Sequence, residues 1–254
     1  MTRTVGIIGG MGPLATADLY RKLILATPAR RDQDHLHVII DADPTIPDRT
    51  AALRGEGPDP TPALLAAARR LEGAGADFLA IVCNTAHAFL PALRPQLAIP
   101  ILDMIAETAG QIADSFPGMR RVGILATRGT IETGLYERAL RERGLEALIP
   151  APEQQRLVDA GIGAVKEGIT GPAAGGWLAE ASRALVASGA EVLVAGCTEI
   201  PLVLDAGMVP VPLIDPTHTL AEAAVREARA APTKGTDGEG TGLSGRRAII
   251  AAAK

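Results

Sequence analysis

The chain has 254 residues, 47% of them hydrophobic but only 2% aromatic, with a net charge of -4. That length fits one large domain or two small ones, with a core that has to be built from Ala, Leu, Ile and Val. The acidic balance and the scarcity of aromatics exclude a basic or base-stacking nucleic-acid surface, and no apolar stretch approaches the ~18 residues of a membrane span.

Residues 3–27, RTVGIIGGMGPLATADLYRKLILAT, pass from a β-branched run through a glycine-rich turn into an amphipathic stretch, which predicts strand, loop and helix. HLHVIIDAD reads as a second buried strand. Residues 43–62, DPTIPDRTAALRGEGPDPTP, are rich in Pro, Asp and Gly and are expected to form a long loop, a kind of segment that is usually functional. Helical periodicity returns over 62–74. DFLAIVCN predicts a strand, TAHAFLPALRPQL a short helix, and IPILDMIAETAGQIADSF a strand followed by a helix.

The pattern then restarts. RRVGILATRGTIETGLYERALRERG predicts strand, turn and helix, LVDAGIGAVKEG and residues 173–188 two helices, EVLVAGCT a strand, and VPLIDPTHTLAEAAVREARA a strand and a last helix. Three pairs of segments match at an offset of roughly 115 residues: VGIIGG with VGILAT, GADFLAIVCNT with GAEVLVAGCTE, and IPILDMIAETA with VPLIDPTHTLAEAA. Alternating strands and helices imply parallel sheets covered on both faces. The expected fold is therefore α/β, two pseudo-symmetric domains each with a parallel sheet flanked by helices. The first lobe is assigned residues 1–115 plus 215–230, because the last helix is expected to pack back on it. The second lobe is assigned residues 118–214. Residues 231–254, low in apolar residues and rich in Gly, are expected to form a disordered tail.

The chain has two cysteines, Cys83 and Cys197. That is too few for a disulfide scaffold and, with no charged-then-apolar leader, points to the cytoplasm. Singly, each reads as a small buried apolar residue. The repeat changes this, because each thiol sits at the carboxyl end of a predicted parallel strand, where open α/β sheets place ligands. Residues able to start a helix come after each one, and a helix N-terminus would lower a thiol's pKa and hold a carboxylate. Two acid/base groups facing one cleft suit removal of a proton from one face of a carbon and its return to the other. Two thiols alone lack the remaining ligands of a zinc site, so no metal is expected.

VGIIGGMGPLAT, DPTIPDRT, CNTAH and GCTEIPL resemble the cofactor-independent aspartate/glutamate racemase family, over residues 5 to about 230. The resemblance implies catalytic thiols at Cys83 and Cys197, an interdomain cleft, no pyridoxal phosphate, a small amino-acid substrate and a homodimer. In the aspartate-type branch an Arg of the IPDRT loop and a later Lys engage the substrate's side-chain carboxylate, and these match Arg49 and Lys166. Thr198-Glu199 stands where glutamate racemases usually carry Thr-His, which disfavours that branch. The two thiols favour a two-base racemase over a one-thiol relative.

Around them, backbone and hydroxyl groups near Asn84, Thr85 and Thr198 are expected to hold the α-carboxylate, with Met11, Thr127, Thr130 and Glu199 lining the pocket. Arg49 sits in a proline-stiffened loop and suits bidentate carboxylate binding, while Lys166 beside Glu167 reads equally as a surface lysine. His87, four residues after Cys83, reads more readily as structural than as a tuner of the thiol. Asp43 and Asp48 are candidates to cap turns or to orient Arg49. Two other readings stay open. Gly10-Met11-Gly12-Pro13-Leu14-Ala15 fits G-x-G-x-x-A after a strand, with Asp41 ending the next strand, as in an NAD(P)-dependent oxidoreductase. A non-catalytic amino-acid-binding module would also explain two lobes and a cleft.

Overall fold

The computed structural model describes residues 2–230; the tail expected over 231–254 lies outside the described residues. The first half runs β1 (Val5–Gly9), α1 (Pro13–Ala26), β2 (Val38–Ala42), α2 (Arg49–Leu53), α3 (Thr61–Gly73), β3 (Phe78–Ile81), α4 (Leu90–Leu93) and α5 (Met104–Ser115). The second half runs β4 (Arg121–Ala126), α6 (Arg128–Glu132), α7 (Leu135–Arg141), β5 (Glu146–Leu148), α8 (Pro152–Lys166), α9 (Pro172–Ala187), β6 (Val192–Gly196), β7 (Leu213–Ile214) and α10 (Pro216–Arg229). Two parallel sheets form, in the orders β2-β1-β3 and β5-β4-β6-β7. The expected α/β class with helix-flanked parallel sheets is what the chain adopts.

The central strands are buried along nearly their whole length, as uninterrupted apolar runs covered on both faces must be. The internal repeat extends to single contacts. A Cβ on Gly6 of β1 would fall 2.7 Å from Leu79 and 2.9 Å from Ala76, and one on Gly123 of β4 would fall 2.6 Å from Leu193 and 3.0 Å from Ala190. Both central strands thus give up a side chain at the same place to let the same Leu-Ala pair close in. With so few aromatics, close approach through Gly and Ala gives the core its density.

Each repeat ends in a helix, and the two helices change places. Leu220, Ala221, Ala224, Val225 and Ala228 of α10 join Ala15, Leu19 and Leu23 of α1 in the cluster beneath the first sheet. Ile105, Ala109 and Ile112 of α5 pack instead with Val122, Ile124, Val192 and Ile214 of the second sheet. The expected division kept all of residues 1–115 in one lobe; Met104 of α5 does join the first-sheet cluster, but the rest of the apolar face of α5 lies against the second sheet. That face is complementary to the second sheet, a fact that helical periodicity alone does not carry. Where β7 hands over to α10, Asp215 caps the helix through Thr217 N and pairs with the buried Lys22 of α1 at 2.5 Å, and Lys22 also pairs with Asp18.

Several local expectations are revised. The long loop of 43–62 contains α2, nucleated where the Asp48 carboxylate accepts from Ala51 N. The strand expected from IPIL is a single bridge, Ile101 with Leu79. TAHAFLPALRPQL is broken into 3-10 and α turns at its two prolines. The helix after β4 splits at Gly134, whose φ of 61° ends α6 and opens α7. The edge strand β5, half-buried and three residues long, shows no alternation clear enough to read in advance.

Candidate active site

The strands β1, β3, β4 and β6 end at one place, where the carboxyl edges of the two sheets face each other. Met11 follows β1, Cys83 follows β3, Thr127 follows β4 and Cys197 follows β6. These four line one cavity of about 10 Å³ together with Asp48, Arg49, Thr50, Asn84, Thr85, Lys166, Thr198 and Glu199. Ten of the residues singled out from the sequence for this site are therefore brought together with Asp48, and Thr50 is added, while Thr130, also expected to line the pocket, is hydrogen-bonded to Thr85 and Thr127 but is not part of the lining. The volume is that of a single water molecule. It adjoins a wider cavity of about 500 Å³ that shares Met11, Arg49, Lys166 and Glu199 with it.

The glycine-rich turn after β1 is shaped by crowding. Gly10 has φ of +88°, and a Cβ there would fall 2.4–2.6 Å from the backbone of Asp43. The Thr16 hydroxyl accepts from Gly10 N and donates to the Gly12 carbonyl, which seats the turn on α1. Gly12 N donates to Glu199 Oε1 at 3.0 Å across the two halves. A carboxylate therefore occupies the N–H that a pyrophosphate would need, and Asp41 is paired with Arg70. The turn does not favour a dinucleotide.

Both thiols are buried and unpaired. The helix starts expected after them are only short turns. Cys83 leads through Asn84 into a 3-10 turn, Thr85–Phe89, and Cys197 leads into a three-residue one, Ile200–Leu202. Turns this short carry little macrodipole, so the lowering expected from a helix end does not operate on Cys197. Cys197 is displaced the other way. Burial pushes its pKa well up, the Glu199 carboxylate adds to this, and the charge of Lys166 opposes it. Cys197 Sγ donates to Glu199 Oε2 at 2.9 Å, and the Thr198 hydroxyl donates to the same oxygen at 3.2 Å. Glu199 thus has both oxygens engaged by the protein rather than facing a substrate, and the Thr198 proton is spoken for.

Asn84 and Thr85 meet side chains of the second half. Tyr136 of α7 donates its hydroxyl to Asn84 Oδ1 at 2.6 Å, while Asn84 Nδ2 has no partner among the described residues although the residue is only 2% exposed. The Thr85, Thr127 and Thr130 hydroxyls bond one another at 2.9–3.1 Å. His87 is a brace. Its Nε2 accepts from Met104 N at the start of α5, so Nδ1 carries the proton and donates to the Cys83 carbonyl at 2.8 Å. Burial lowers the pKa of this imidazole and keeps it neutral.

Arg49 opens α2 and is 9% exposed. One guanidinium nitrogen donates to the carbonyls of Ile46 and Pro47 at 3.1 and 3.0 Å, and among the described residues the Arg49 Nε is unpartnered and the side chain makes no ion pair. A buried cation without a carboxylate is a site for an incoming anion. Lys166 ends α8, exposed and also unpaired among the described residues. Asp43 and Asp48 cap the turns around Arg49 and do not bind it. His35, His37 and His218 lie outside the cavity. Among the described residues no group of three or more His, Cys, Asp or Glu side chains is placed to hold a metal ion.

Sequence reasoning missed Tyr136. The available signal was its rarity, one of two tyrosines in a chain nearly free of aromatics.

The family model described as Asp/Glu/Hydantoin racemase matches residues 8–224. The broad specificity amino-acid racemase RacX of Bacillus subtilis is 29% identical over 87% of this chain and 96% of its own length. Among solved structures, the aspartate racemase of Picrophilus torridus is similar with a TM-score of 0.78 and 32% identity over 89% of this chain and 94% of that one. An aspartate racemase homologue from Pyrococcus horikoshii is similar with a TM-score of 0.71 and 26% identity over 90% and 99%.

Proposed function

The chain belongs to the Asp/Glu/hydantoin racemase family, and from that premise we propose that it interconverts L- and D-aspartate by proton transfer between two thiols, Cys83 and Cys197. The observation that carries this reading is that both thiols line one cavity between the two sheets. The resemblance of 89% of the chain to an aspartate racemase supports aspartate as first substrate, and its resemblance to a broad-specificity enzyme makes glutamate and other amino acids next in line.

In this reading the substrate's side-chain carboxylate enters beside Arg49, whose buried charge lacks a partner, with Lys166 at the mouth. The α-carboxylate accepts from Asn84 Nδ2 and meets the Thr85 and Thr127 hydroxyls. One thiolate takes the α-proton while the opposite thiol delivers its own to the other face. Cys197, hydrogen-bonded to Glu199, is the proton-holding partner in the resting protein, which leaves the base role of the first turnover to Cys83. When Cys197 has given its proton away, the adjacent Glu199 carboxylate disfavours the thiolate left behind and speeds its reprotonation.

Removing an α-proton from a zwitterion needs fixed donors in a dry site. A cavity the size of one water molecule is too small to admit an amino acid. We therefore take the two sheets with their helices as lobes that part and close around substrate. The same reading retains a cytoplasmic setting, which suits two unpaired thiols, and the homodimer implied by the family resemblance, open to sedimentation. The test is L-aspartate in deuterated water without added cofactor. D-aspartate carrying α-deuterium is the expected product; no exchange with aspartate, glutamate or any other amino acid would end the proposal.

A further inference from the structure

We propose that Tyr136 is a positioning residue that fixes the Asn84 amide so that its N–H, not its oxygen, faces the substrate carboxylate. This rests on the reading of the cavity as a racemase site in which Asn84 meets that carboxylate.

Asn84 presents two nearly isosteric ends. Turned one way it offers an N–H donor to a carboxylate, and turned the other way it offers a repelling oxygen. Nothing within Asn84 chooses between them. Among the described residues the choice comes from across the site, where the Tyr136 hydroxyl donates to Oδ1 at 2.6 Å. Tyr136 is 2% exposed, and burial pushes its phenol pKa upward, so it stays a donor. The Thr108 hydroxyl also neighbours the phenol, but it gives its own proton to the Met104 carbonyl, and the short bond of the phenol is the one to Oδ1. Turning the amide over would exchange that bond for an N–H facing an O–H, and this mismatch favours the donor end in place. Nδ2 is left unpartnered in a residue that lines the cavity, a buried donor awaiting an acceptor.

The ring that carries this hydroxyl is itself wedged. A Cβ on Gly196 would lie 3.1 Å from Tyr136 Cε2 and 3.1 Å from Ala126 Cβ, so the absence of a side chain there makes room for the ring. Gly196 precedes Cys197, and Asn84 follows Cys83. Tyr136 therefore spans from the backbone beside one thiol to the carboxylate donor beside the other. It couples the substrate's orientation to the relative placement of the two halves.

The test is steady-state racemisation of both aspartate enantiomers, with calorimetric aspartate affinity, for the unmodified protein, Tyr136→Phe, Asn84→Ala and the double variant. Thermal melts check folding. Tyr136→Phe keeps the ring and should raise KM and Kd about tenfold in both directions, with kcat within about threefold, as expected for loss of a contact made equally to substrate and transition state. Asn84→Ala should raise them at least as far, and the double variant no further, because the hydroxyl acts only through the amide. If Tyr136→Phe does not fold, Gly196→Ala, which presses the ring aside but keeps the hydroxyl, should raise KM likewise and be silent when Asn84 is already Ala. Effects that multiply in the double variant, or a kcat loss at unchanged KM, would overturn the inference while the racemase reading stands. Coupled changes in affinity with no racemisation by the unmodified protein would support the positioning role and sink the reaction. No aspartate binding by the unmodified protein would sink both.

Discussion

Cys83 and Cys197 stand at equivalent places in the repeat, yet their surroundings have diverged. Asn84 in the first half matches Thr198 in the second, and Thr85 matches Glu199. The first thiol is flanked by neutral groups: an amide held by Tyr136, a hydroxyl in a three-threonine cluster and a carbonyl braced by His87. The second donates to a carboxylate that also grips the glycine turn of the opposite half. A duplicated strand-thiol unit thus became one side that presents donors to a substrate and one side that holds a proton. A two-base racemase needs both roles, and it needs them to differ in protonation at any instant.

The strongest way to break this comparison is to remove each thiol in turn. Cys83→Ala and Cys197→Ala should each lower racemisation by about a thousandfold or more, within the range that a positioned acid or base supplies. The asymmetry then appears in deuterium exchange followed by NMR. Each variant retains one base, so each should still exchange the α-proton of one enantiomer, and the enantiomer should differ between the two. If either variant racemises at the normal rate, or both exchange the same enantiomer, the two faces are not served by two thiols.

A smaller effect isolates the carboxylate. Glu199→Gln removes the negative charge beside Cys197 but keeps an oxygen for Gly12 N. The charge raises the thiol's pKa, so its loss should lower it, and thiolate fraction changes tenfold per pKa unit. Alkylation of Cys197 by iodoacetamide at pH 8, mapped by mass spectrometry, should therefore quicken several-fold, up to about tenfold, while alkylation of Cys83 is unchanged. A slower or unaltered reaction at Cys197 would mean that Glu199 does not govern its proton.

The divergence explains what was legible in the sequence. The repeated apolar strands and the cysteine after each one place both thiols at sheet edges, because strand period and parallel topology are local signals. Arg49 was legible from its proline-rich loop and from family resemblance. The α2 turn that presents it was hidden, because Pro, Asp and Gly dominate the composition around it. The roles of Tyr136, His87 and Glu199 depend on which atoms meet across the two halves. No spacing along the chain encodes that the Tyr136 hydroxyl reaches Asn84, or that both oxygens of Glu199 are taken. The exchange of α5 and α10 was half legible for the same reason, since an amphipathic stripe declares that a helix is buried but not beneath which sheet.

His87 sharpens the comparison at its most modest scale, because Pro201 stands at the equivalent position in the second half and can make neither of its bonds. The imidazole links the Cys83 carbonyl to Met104 N and is held neutral by burial. In the unfolded chain the same group takes up a proton below pH ~6.5. Its folded pKa is depressed, so its stabilisation is fully present above that value and is lost as pH falls through it toward the folded value. His87→Asn keeps a donor for the carbonyl but leaves Met104 N unpaired, and should cost about 1–3 kcal/mol at pH 7.5 in urea unfolding. The gap between parent and variant should then shrink below pH ~6.5, by up to about 1.4 kcal/mol per pH unit. A gap that stays constant down to pH 5.5 would mean that the imidazole is not held neutral, and that the strand carrying Cys83 is anchored by a charge, as its counterpart beside Cys197 is.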